Sequence, residues 1–252
     1  MNKIAFITGA TAGIGKAIAE KLAENNFDVI ITGRRGNILD ALEKEIKQKY
    51  GVRALSLILD VRDRDACKVA INKLPQDWEN IDLLVNNAGL AAGLGTIQEG
   101  EFENWDKMID TNIKGLLNIT RLISPLMIAK NQGQIINISS IAGKEVYPGG
   151  NVYCGTKHAV DAITKGMRID MVQHNIKVTS IDPGMVETEF SIVRFNGDKE
   201  KAKKVYEGFT PLFANDIAEA VIFVATRPAH VNINDMIIMP TAQASATVVD
   251  RK

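Results

Sequence analysis

The stretch that decides the fold is Ile4-Ala5-Phe6-Ile7-Thr8-Gly9-Ala10-Thr11-Ala12-Gly13-Ile14-Gly15. It joins a short apolar run, typical of a buried β-strand, to a segment whose apolar residues recur at helical spacing. The glycines at 9, 13 and 15 allow a tight turn between the two elements. Such a turn also brings backbone N–H groups to a helix N-terminus, where they can bind a pyrophosphate. The stretch predicts a dinucleotide site, with a purely structural turn as the alternative.

The rest of the chain repeats this alternation of strand and helix. Strands are predicted at 4–8, 28–32, 54–59, 81–85, 134–139, 176–181 and 236–239. Helices are predicted at 13–24, 38–50, 64–74, 102–109, 112–130, 152–173 and 217–226. Apolar strands separated by helices indicate a parallel sheet covered on both faces. We therefore predict an α/β fold, a single-domain Rossmann fold over 1–252, whose doubly wound, seven-stranded parallel sheet has helices on both faces. The irregular stretch 183–215 predicts a substrate lid within that domain.

Composition argues against several classes of protein. The 252 residues carry 30 basic and 30 acidic side chains, so the formal net charge is zero. Phosphate backbones are bound by an excess of positive charge, and we expect no nucleic-acid partner. No apolar run approaches the ~18 residues of a membrane span, and none resembles a signal-peptide core, so we expect no membrane contact and a cytoplasmic protein. Cys67 and Cys154 make no metal-binding pattern with the three histidines, and no metal is expected.

The end of the second strand indicates which dinucleotide is bound. Enzymes that use NAD place an acidic residue there to bond the ribose hydroxyls. This chain has Arg34 and Arg35 instead, and a guanidinium group matches a phosphate bidentately. The pattern favours NADP, whereas a solvated arginine pair is the alternative. Asp60, at the end of the third strand, is predicted to bond the adenine amino group or else to cap the next helix.

A candidate acid–base pair begins the long helix predicted at 152–173. Tyr153 and Lys157 are four positions apart, so they share one helix face. A nearby ammonium group favours the phenolate and is expected to lower the pKa of Tyr153 from ~10. The tyrosine could then donate a proton to a carbonyl or take one from an alcohol. A surface aromatic–cation pair is the alternative.

Polar motifs at three further strand ends favour the catalytic interpretation. Ser139-Ser140 ends the fifth strand, Asn86-Asn87-Ala88-Gly89 the fourth, and Pro183-Gly184 the sixth. The carboxyl ends of parallel strands share one edge of the sheet, where ligands bind in such folds. The motifs therefore predict one cleft.

Together these motifs resemble those of the short-chain dehydrogenase/reductase family over essentially the whole chain. The motifs that match are Thr8-Gly9-x3-Gly13-x-Gly15, Asn86-Asn87-Ala88-Gly89, Asn112, Ser140, Tyr153-x3-Lys157 and Pro183-Gly184. Ser140 is chosen over Ser139 because the family serine precedes the tyrosine by thirteen positions. Ala12 stands where some NADP-using relatives have a basic residue, which leaves the 2′-phosphate to Arg34 and Arg35.

The resemblance implies a role for each matched residue. Tyr153 would be the general acid/base, Ser140 would hold the substrate oxygen, Lys157 would bind the nicotinamide ribose, and Asn112 would hold a water linking Lys157 to solvent. A helix N-cap is the alternative for Asn112. The predicted cofactor-binding residues are Gly9, Thr11, Gly13, Ile14, Gly15, Arg34, Arg35, Asp60, Val61, Asn87, Ala88, Gly89, Tyr153, Lys157, Pro183, Gly184, Val186 and Thr188.

Within the family the chain is most similar to the NADP-dependent 3-hydroxy acid dehydrogenases. Residues 81–90, 149–153, 188–198 and 229–234 carry this similarity. It implies a homotetramer that interconverts a short 3-hydroxy acid, such as L-serine, allo-threonine or 3-hydroxypropionate, with its 3-oxo acid or semialdehyde. We predict that Ser140, Tyr153 and Arg194 contact this substrate and that Arg194 anchors its carboxylate; pairing of Arg194 with Glu189 or Asp198 is the alternative. Other interpretations are a reductase of 3-oxoacyl thioesters or other ketones, and a non-catalytic NADP-binding regulator.

Overall fold

Nine strands are present in the computed structural model, which describes residues 2–252. They are β1 (Ile4–Ile7), β2 (Asp28–Gly33), β3 (Ala54–Ile58), β4 (Ile81–Asn86), β5 (Gly133–Ile138), β6 (Ile176–Pro183), β7 (Val186–Glu187), β8 (Leu212–Phe213) and β9 (Asp235–Ile238). Seven of them form one parallel sheet in the order β3-β2-β1-β4-β5-β6-β9. The predicted doubly wound, seven-stranded sheet is confirmed.

Helices cover both faces of this sheet. Their bounds are α1 (Gly13–Glu24), α2 (Gly36–Tyr50), α3 (Arg64–Asn72), α4 (Phe102–Ile109), α5 (Leu116–Ala129), α6 (Asn151–Met171), α7 (Phe190–Arg194), α8 (Lys199–Lys204) and α9 (Ala214–Ala225). Alternate residues of β1 belong to different cores: Ile7 packs with α1, α2 and α9, and Phe6 packs with α3, α5 and α6. Side chains of a strand alternate between its two faces, so a separate apolar core lies on each side of the sheet.

The strand order reverses beside β1, which has β2 on one side and β4 on the other. In open parallel sheets ligands bind at the carboxyl edge where the order reverses. The turn after Ile7 and the residues after Asn86 meet there, because the N–H of Thr8 donates to the carbonyl of Val85 at 3.1 Å. The topology therefore places the predicted cleft between these two strand ends.

Two regions differ from the sequence-based expectation. The helices predicted at 102–109 and 112–130 are joined by a π-helical turn, Asp110–Gly115, so the chain stays helical from α4 to α5. The stretch 183–215 is not irregular, since it contains the parallel pair of β7 and β8 together with α7 and α8. The C-terminal residues pack onto this segment: the N–H of Lys252 donates to the carbonyl of Gly208 at 2.8 Å.

None of the helices within residues 2–252 combines the length and the apolar character that crossing a membrane would require.

Candidate active site

A long cleft follows the carboxyl edge of the sheet, and all eighteen residues predicted to bind the cofactor line it. Ser140 lines it as well, whereas Asn112 and Arg194 lie behind its wall. Arg62, Glu189 and Phe190 also line the cleft and were not predicted. The fold thus brings together motifs that are up to about 180 residues apart in the sequence.

The glycine turn forms one end of the cleft. Gly9 and Gly13 have φ values of 68° and 51°, a region that side chains with a Cβ rarely adopt. A Cβ on Gly15 would overlap the carbonyl oxygen of Gly9 and the amide of Asn87. Asn87 in turn donates from Nδ2 to the carbonyl of Thr8 at 2.9 Å. The turn is therefore packed tightly against the strand ends on one side. On its other side, its backbone at the start of α1 faces the cleft and suits a diphosphate.

Arg34 and Arg35 follow β2 at the same end of the cleft. The Arg35 guanidinium donates to Oγ1 of Thr11 at 3.0 Å and pairs with Glu189 at 3.3 Å on the opposite wall. Arg34 also lines the cleft, and its positive charge helps to lower the pKa of Asp60. Two guanidinium groups and no carboxylate at the end of β2 match a ribose that carries a phosphate.

Asp60 does not cap the helix that follows it. Asp63 takes that place, because its side chain accepts the N–H of Ala66 at 2.9 Å at the start of α3. Asp60 instead pairs with Arg62 at 2.6 Å, and this hydrogen bond lowers the pKa of its carboxyl group. The helix-cap alternative is wrong, and the carboxylate lies in the cleft with Arg62 beside it.

Tyr153, Lys157 and Ser140 meet near the middle of the cleft. The first turns of α6 carry Tyr153 and Lys157, and Nζ of Lys157 lies 5.9 Å from the centre of the tyrosine ring. Ser140 follows β5, and its hydroxyl donates to the carbonyl of Pro183 at 3.4 Å. Nζ of Lys157 donates to the carbonyl of Ile138 at 3.0 Å. Both Tyr153 and Lys157 are buried, so the surface-pair alternative is wrong.

The electrostatics of Tyr153 differ from the prediction. Burial raises the pKa of its phenol, and the main opposing influences are the positive charge of Arg194 and a hydrogen bond with Ser140. The expected lowering by Lys157 is not what the structure shows. The reason is the burial of the phenol itself. Lys157 is buried as well, which lowers the pKa of its ammonium group to about 8. Desolvation disfavours the charged form of both groups.

Asn112 lies within the π-helical turn and is not a helix N-cap. Its Oδ1 accepts the N–H of Leu90 at 2.8 Å, and its Nδ2 donates to the carbonyl of Leu90 at 2.8 Å and to Oγ1 of Thr156 at 3.0 Å. Thr156 immediately precedes Lys157 in α6. Asn112 therefore ties the loop after β4 to the helix that carries Tyr153 and Lys157.

Arg194 packs directly on Tyr153. Its guanidinium carbon lies 5.2 Å from the ring centre of Tyr153, 5.5 Å from that of Tyr147 and 5.7 Å from that of Phe190. It donates a hydrogen bond to the hydroxyl of Tyr147, while its buried Nε has no hydrogen-bond partner among residues 2–252. Glu189 pairs with Arg35, and Asp198 pairs with Lys201. The predicted alternative, in which Arg194 pairs with either acid, is wrong.

Tyr147 was not predicted from the sequence, because its link to Arg194 spans 47 positions and no local motif contains both. A tyrosine six residues before Tyr153, on the segment that leads into α6, is the only signal that could have suggested it.

The amino-acid sequence also matches a known protein family. A family model described as "short chain dehydrogenase" matches residues 3–198. The chain belongs to the short chain dehydrogenase family. This dehydrogenase is 50% identical over 244 residues to the NADP-dependent 3-hydroxy acid dehydrogenase of Salmonella typhi, with 96% of this chain and 97% of the relative covered. It is 44% identical to sulfoacetaldehyde reductase 2 of Chromohalobacter salexigens, with 100% of both chains covered.

Solved structures agree with this assignment. The dehydrogenase superposes with a TM-score of 0.92 on the closed form of a serine dehydrogenase in complex with NADP+, at 44% identity and with 99% of both chains covered. The predicted family is confirmed.

Proposed function

We propose that this dehydrogenase is an NADP-dependent enzyme that reversibly oxidises a short 3-hydroxy acid to its 3-oxo acid or semialdehyde. One observation carries the proposal. The guanidinium group of Arg194, which pairs with no carboxylate among residues 2–252 and whose buried Nε has no hydrogen-bond partner there, packs against the buried ring of Tyr153. An acid–base group next to a cation suits a small substrate that carries a carbonyl or hydroxyl close to an anion.

The residues of the cleft fit NADP. The turn from Gly9 to Gly15 leaves open backbone at the start of α1, and Arg34 and Arg35 lie where a ribose phosphate would be expected. We assign the pyrophosphate to the glycine turn, the 2′-phosphate to the two arginines, and the nicotinamide side to Thr188 and the residues near Lys157. When bound, the cofactor supplies or accepts the hydride. The relatives named for NADP support the choice of cofactor.

Tyr153 handles the proton of the reaction. In the reductive direction the O–H bond of its phenol breaks, and the proton moves to the substrate oxygen as hydride reaches the carbonyl carbon. In the oxidative direction the phenolate takes the proton from the alcohol. When substrate is bound, the Ser140 hydroxyl turns its one proton from the carbonyl of Pro183, 3.4 Å away, to the substrate oxygen and so holds it against Tyr153. The positive charge of Arg194 favours the phenolate.

Lys157 and Asn112 complete the arrangement. We assign the ammonium group of Lys157 to the ribose hydroxyls on the nicotinamide side, since it reaches the cleft from beneath Tyr153. Asn112 is assigned the water that links Lys157 to solvent, because its side chain lies between the Leu90 backbone and Thr156, next to Lys157. This path would return the proton that Tyr153 gives up.

Arg194 is assigned the substrate anion. Relatives of this chain are named for 3-hydroxy acids, which carry a carboxylate, and for sulfoacetaldehyde, which carries a sulfonate. Both anions offer two oxygens to one guanidinium fork. Tyr147 holds the guanidinium in place through its hydroxyl, and Phe190 excludes water from one side. The same residue could therefore serve either anion.

The experiment that tests this function follows NADPH absorbance with malonic semialdehyde and NADP+ reduction with L-serine, allo-threonine and 3-hydroxypropionate. We expect turnover in both directions. The same assay with a 3-oxoacyl thioester and with a neutral aldehyde of similar size serves as the comparison. Efficient reduction of the thioester or the neutral aldehyde, without turnover of the acids, would overturn the assignment.

We further propose that the chain is one domain, with 183–215 as its substrate lid, and that it works in the cytoplasm as a homotetramer. Apolar side chains left exposed on the long helices support the assembly, among them Leu117 on α5 and Ile169 on α6. Light scattering coupled to gel filtration tests it, since the proposal predicts four times the mass of 27.5 kDa.

A further inference from the structure

A short turn carries Ser140 into the cleft, and Lys144 ends that turn. Ser140 is the N-cap of the 3-10 turn Ile141–Gly143: its hydroxyl accepts the N–H of Ala142 at 3.1 Å, and its carbonyl accepts the N–H of Gly143 at 2.8 Å. The N–H of Lys144 donates to the carbonyl of Ile141 at 2.9 Å. Because these bonds leave little freedom between them, the position of Lys144 determines the position of Ser140.

The ammonium group of Lys144 is held by three carboxylates from three different elements. It donates to Asp161 of α6, pairs with Asp235 of β9 at 3.1 Å, and lies 3.6 Å from Asp182 of β6. Lys144 and Asp161 are both largely buried, and the side chain of Asp182 is fully buried. Ion pairs that are shielded from water hold their geometry far better than exposed pairs.

One of these three elements carries the acid–base pair, and a second contacts Ser140. Asp161 is one helical turn beyond Lys157 and two beyond Tyr153 on α6. Asp182 precedes Pro183, whose carbonyl accepts the hydroxyl of Ser140 at 3.4 Å. The turn itself touches α6, since a Cβ on Gly143 would lie 2.8 Å from the carbonyl of Lys157. Lys144 thus connects the serine turn with the tyrosine helix and with the strand behind the serine.

Lys144 also balances the charge of the buried carboxylate of Asp182. Asp182 has an Oδ2 with no hydrogen-bond partner among residues 2–252, and its Oδ1 accepts only the hydroxyl of Ser180 at 2.8 Å. Burial raises the pKa of this carboxyl group, and the charge of Lys144 opposes the rise. The same carboxylate also acts on Lys157. Lys144 is therefore a counterion of Asp182, a role that it shares with Lys157.

We propose that Lys144 is a positioning residue for the reaction, which fixes Ser140 against Tyr153 by clamping the serine turn to α6 and β6. The proposal rests on the proposed function only in that Ser140 holds the substrate oxygen. Lys144 touches neither the cleft nor the substrate, so it acts through Ser140. Its loss is expected to lower the rate of the chemical step and to leave cofactor binding unchanged.

The experiment compares Lys144→Met with the wild type in NADPH-dependent reduction of malonic semialdehyde. We expect kcat to fall about 10- to 100-fold, because a displacement of about 1 Å at a reacting group has effects of this size. The Kd for NADPH, measured by fluorescence, should stay within about twofold. Lys144→Arg, which keeps the charge, should recover most of the loss. Lys165→Met is the matched control: Lys165 pairs with the same Asp161 from the solvent side, and this variant should keep the kcat of the wild type.

A double variant separates positioning from general support of the fold. If Lys144 acts through Ser140, Lys144→Met should have almost no further effect on kcat in a Ser140→Ala background. Equal losses in both backgrounds, or a Lys144→Met enzyme with unchanged kcat, would overturn the proposal. Should Lys144→Met fail to fold, Asp235→Asn weakens the same cluster more gently and should lower kcat in the same direction; an unchanged kcat in that variant would also count against it.

Failure of the proposed function would look different. If the wild type does not reduce malonic semialdehyde, that function is wrong, and a crystal structure of Lys144→Met then decides the present proposal. A displaced Ser140 supports it, and a Ser140 in its original place overturns it.

Discussion

The two halves of the cleft are built in different ways. On the cofactor side, backbone atoms and glycines form the surface, and Gly15 packs against Gly9 and Asn87 with no room for a side chain. On the proposed substrate side, the side chains of Tyr153 and Phe190 form it, and Arg194 of α7 packs against both from behind the wall. A surface of backbone is fixed by the fold and suits one cofactor. A surface of side chains can change without disturbing the fold, so the substrate can differ among relatives that share the cofactor.

The largest effect is expected from a single methyl group on the cofactor side. Gly15→Ala places a Cβ against the backbone of Gly9, which cannot move away as a flexible side chain could. We expect a loss of about 3 kcal/mol in the free energy of unfolding and no measurable NADPH binding. Gly166→Ala is the matched control, since a Cβ there would meet no described atom within 4 Å apart from its chain neighbours and the backbone of its own helix. The free energy of unfolding of that variant should rise by about 0.5–1 kcal/mol, because alanine stabilises a helix interior relative to glycine. Equal unfolding curves for the two variants would contradict the close-packed turn.

Lys157 lies where the two halves of the cleft meet, and its burial should make the free energy of unfolding depend on pH. Its pKa is about 8 in the folded chain, against 10.5 when exposed. Below pH 8 both states are protonated, and burial of the charge destabilises the fold. Between pH 8 and 10.5 the folded state releases the proton first, so wild-type stability should rise. Lys157→Met removes this effect. We expect the free energy of unfolding of this variant to exceed that of the wild type by about 2–3 kcal/mol at pH 7. Chemical denaturation at pH 7 and pH 10 measures the difference, and a constant gap between the two proteins would refute it.

On the substrate side, Arg194→Ala should raise KM for malonic semialdehyde about 10- to 100-fold. The reason is the loss of a charge-assisted contact to the substrate anion. The Kd for NADPH should not change, because Arg194 lies outside the cofactor cleft. Steady-state kinetics give both quantities. An unchanged KM would show that another residue binds the substrate anion, and that the proposed lid only shields the site from solvent.

The smallest effect is expected for the choice between NADP and NAD. Arg35→Ala should raise the Kd for NADP+ about tenfold and change the Kd for NAD+ by no more than about twofold, since only NADP+ carries the 2′-phosphate. Arg34 remains beside it and retains part of the affinity. Titration of both dinucleotides by calorimetry measures this ratio. A parallel loss for NADP+ and NAD+ would show that Arg35 supports the cleft wall through Thr11 rather than the phosphate.

The same contrast explains what could be predicted from the sequence. The sheet followed from apolar strand runs, and the cleft from polar motifs that end neighbouring strands, because parallel topology brings strand ends together. Contacts between side chains far apart in the chain left no such signal. Lys144 and Asp235, 91 positions apart, are one example.

Two errors have identifiable physical causes. Asp60 was a possible helix cap, but it lies three positions before the cap position, and Asp63 caps α3. The expected lowering of the pKa of Tyr153 by Lys157 relied on spacing alone, and spacing does not reveal how deeply a group is buried. Burial outweighs that charge, and Arg194, from a segment 41 positions away, provides the opposing influence.

Tyr153 is the proposed proton-transfer group on which every other assigned role depends, and one paired measurement tests it directly. Tyr153→Phe and Tyr147→Phe each remove one buried hydroxyl from neighbouring rings, and NADPH binding and malonic semialdehyde reduction are measured for both. We predict that Tyr153→Phe binds NADPH normally while kcat falls about 10²- to 10⁴-fold, whereas Tyr147→Phe mainly raises KM. A Tyr153→Phe enzyme that keeps the kcat of the wild type would contradict the account.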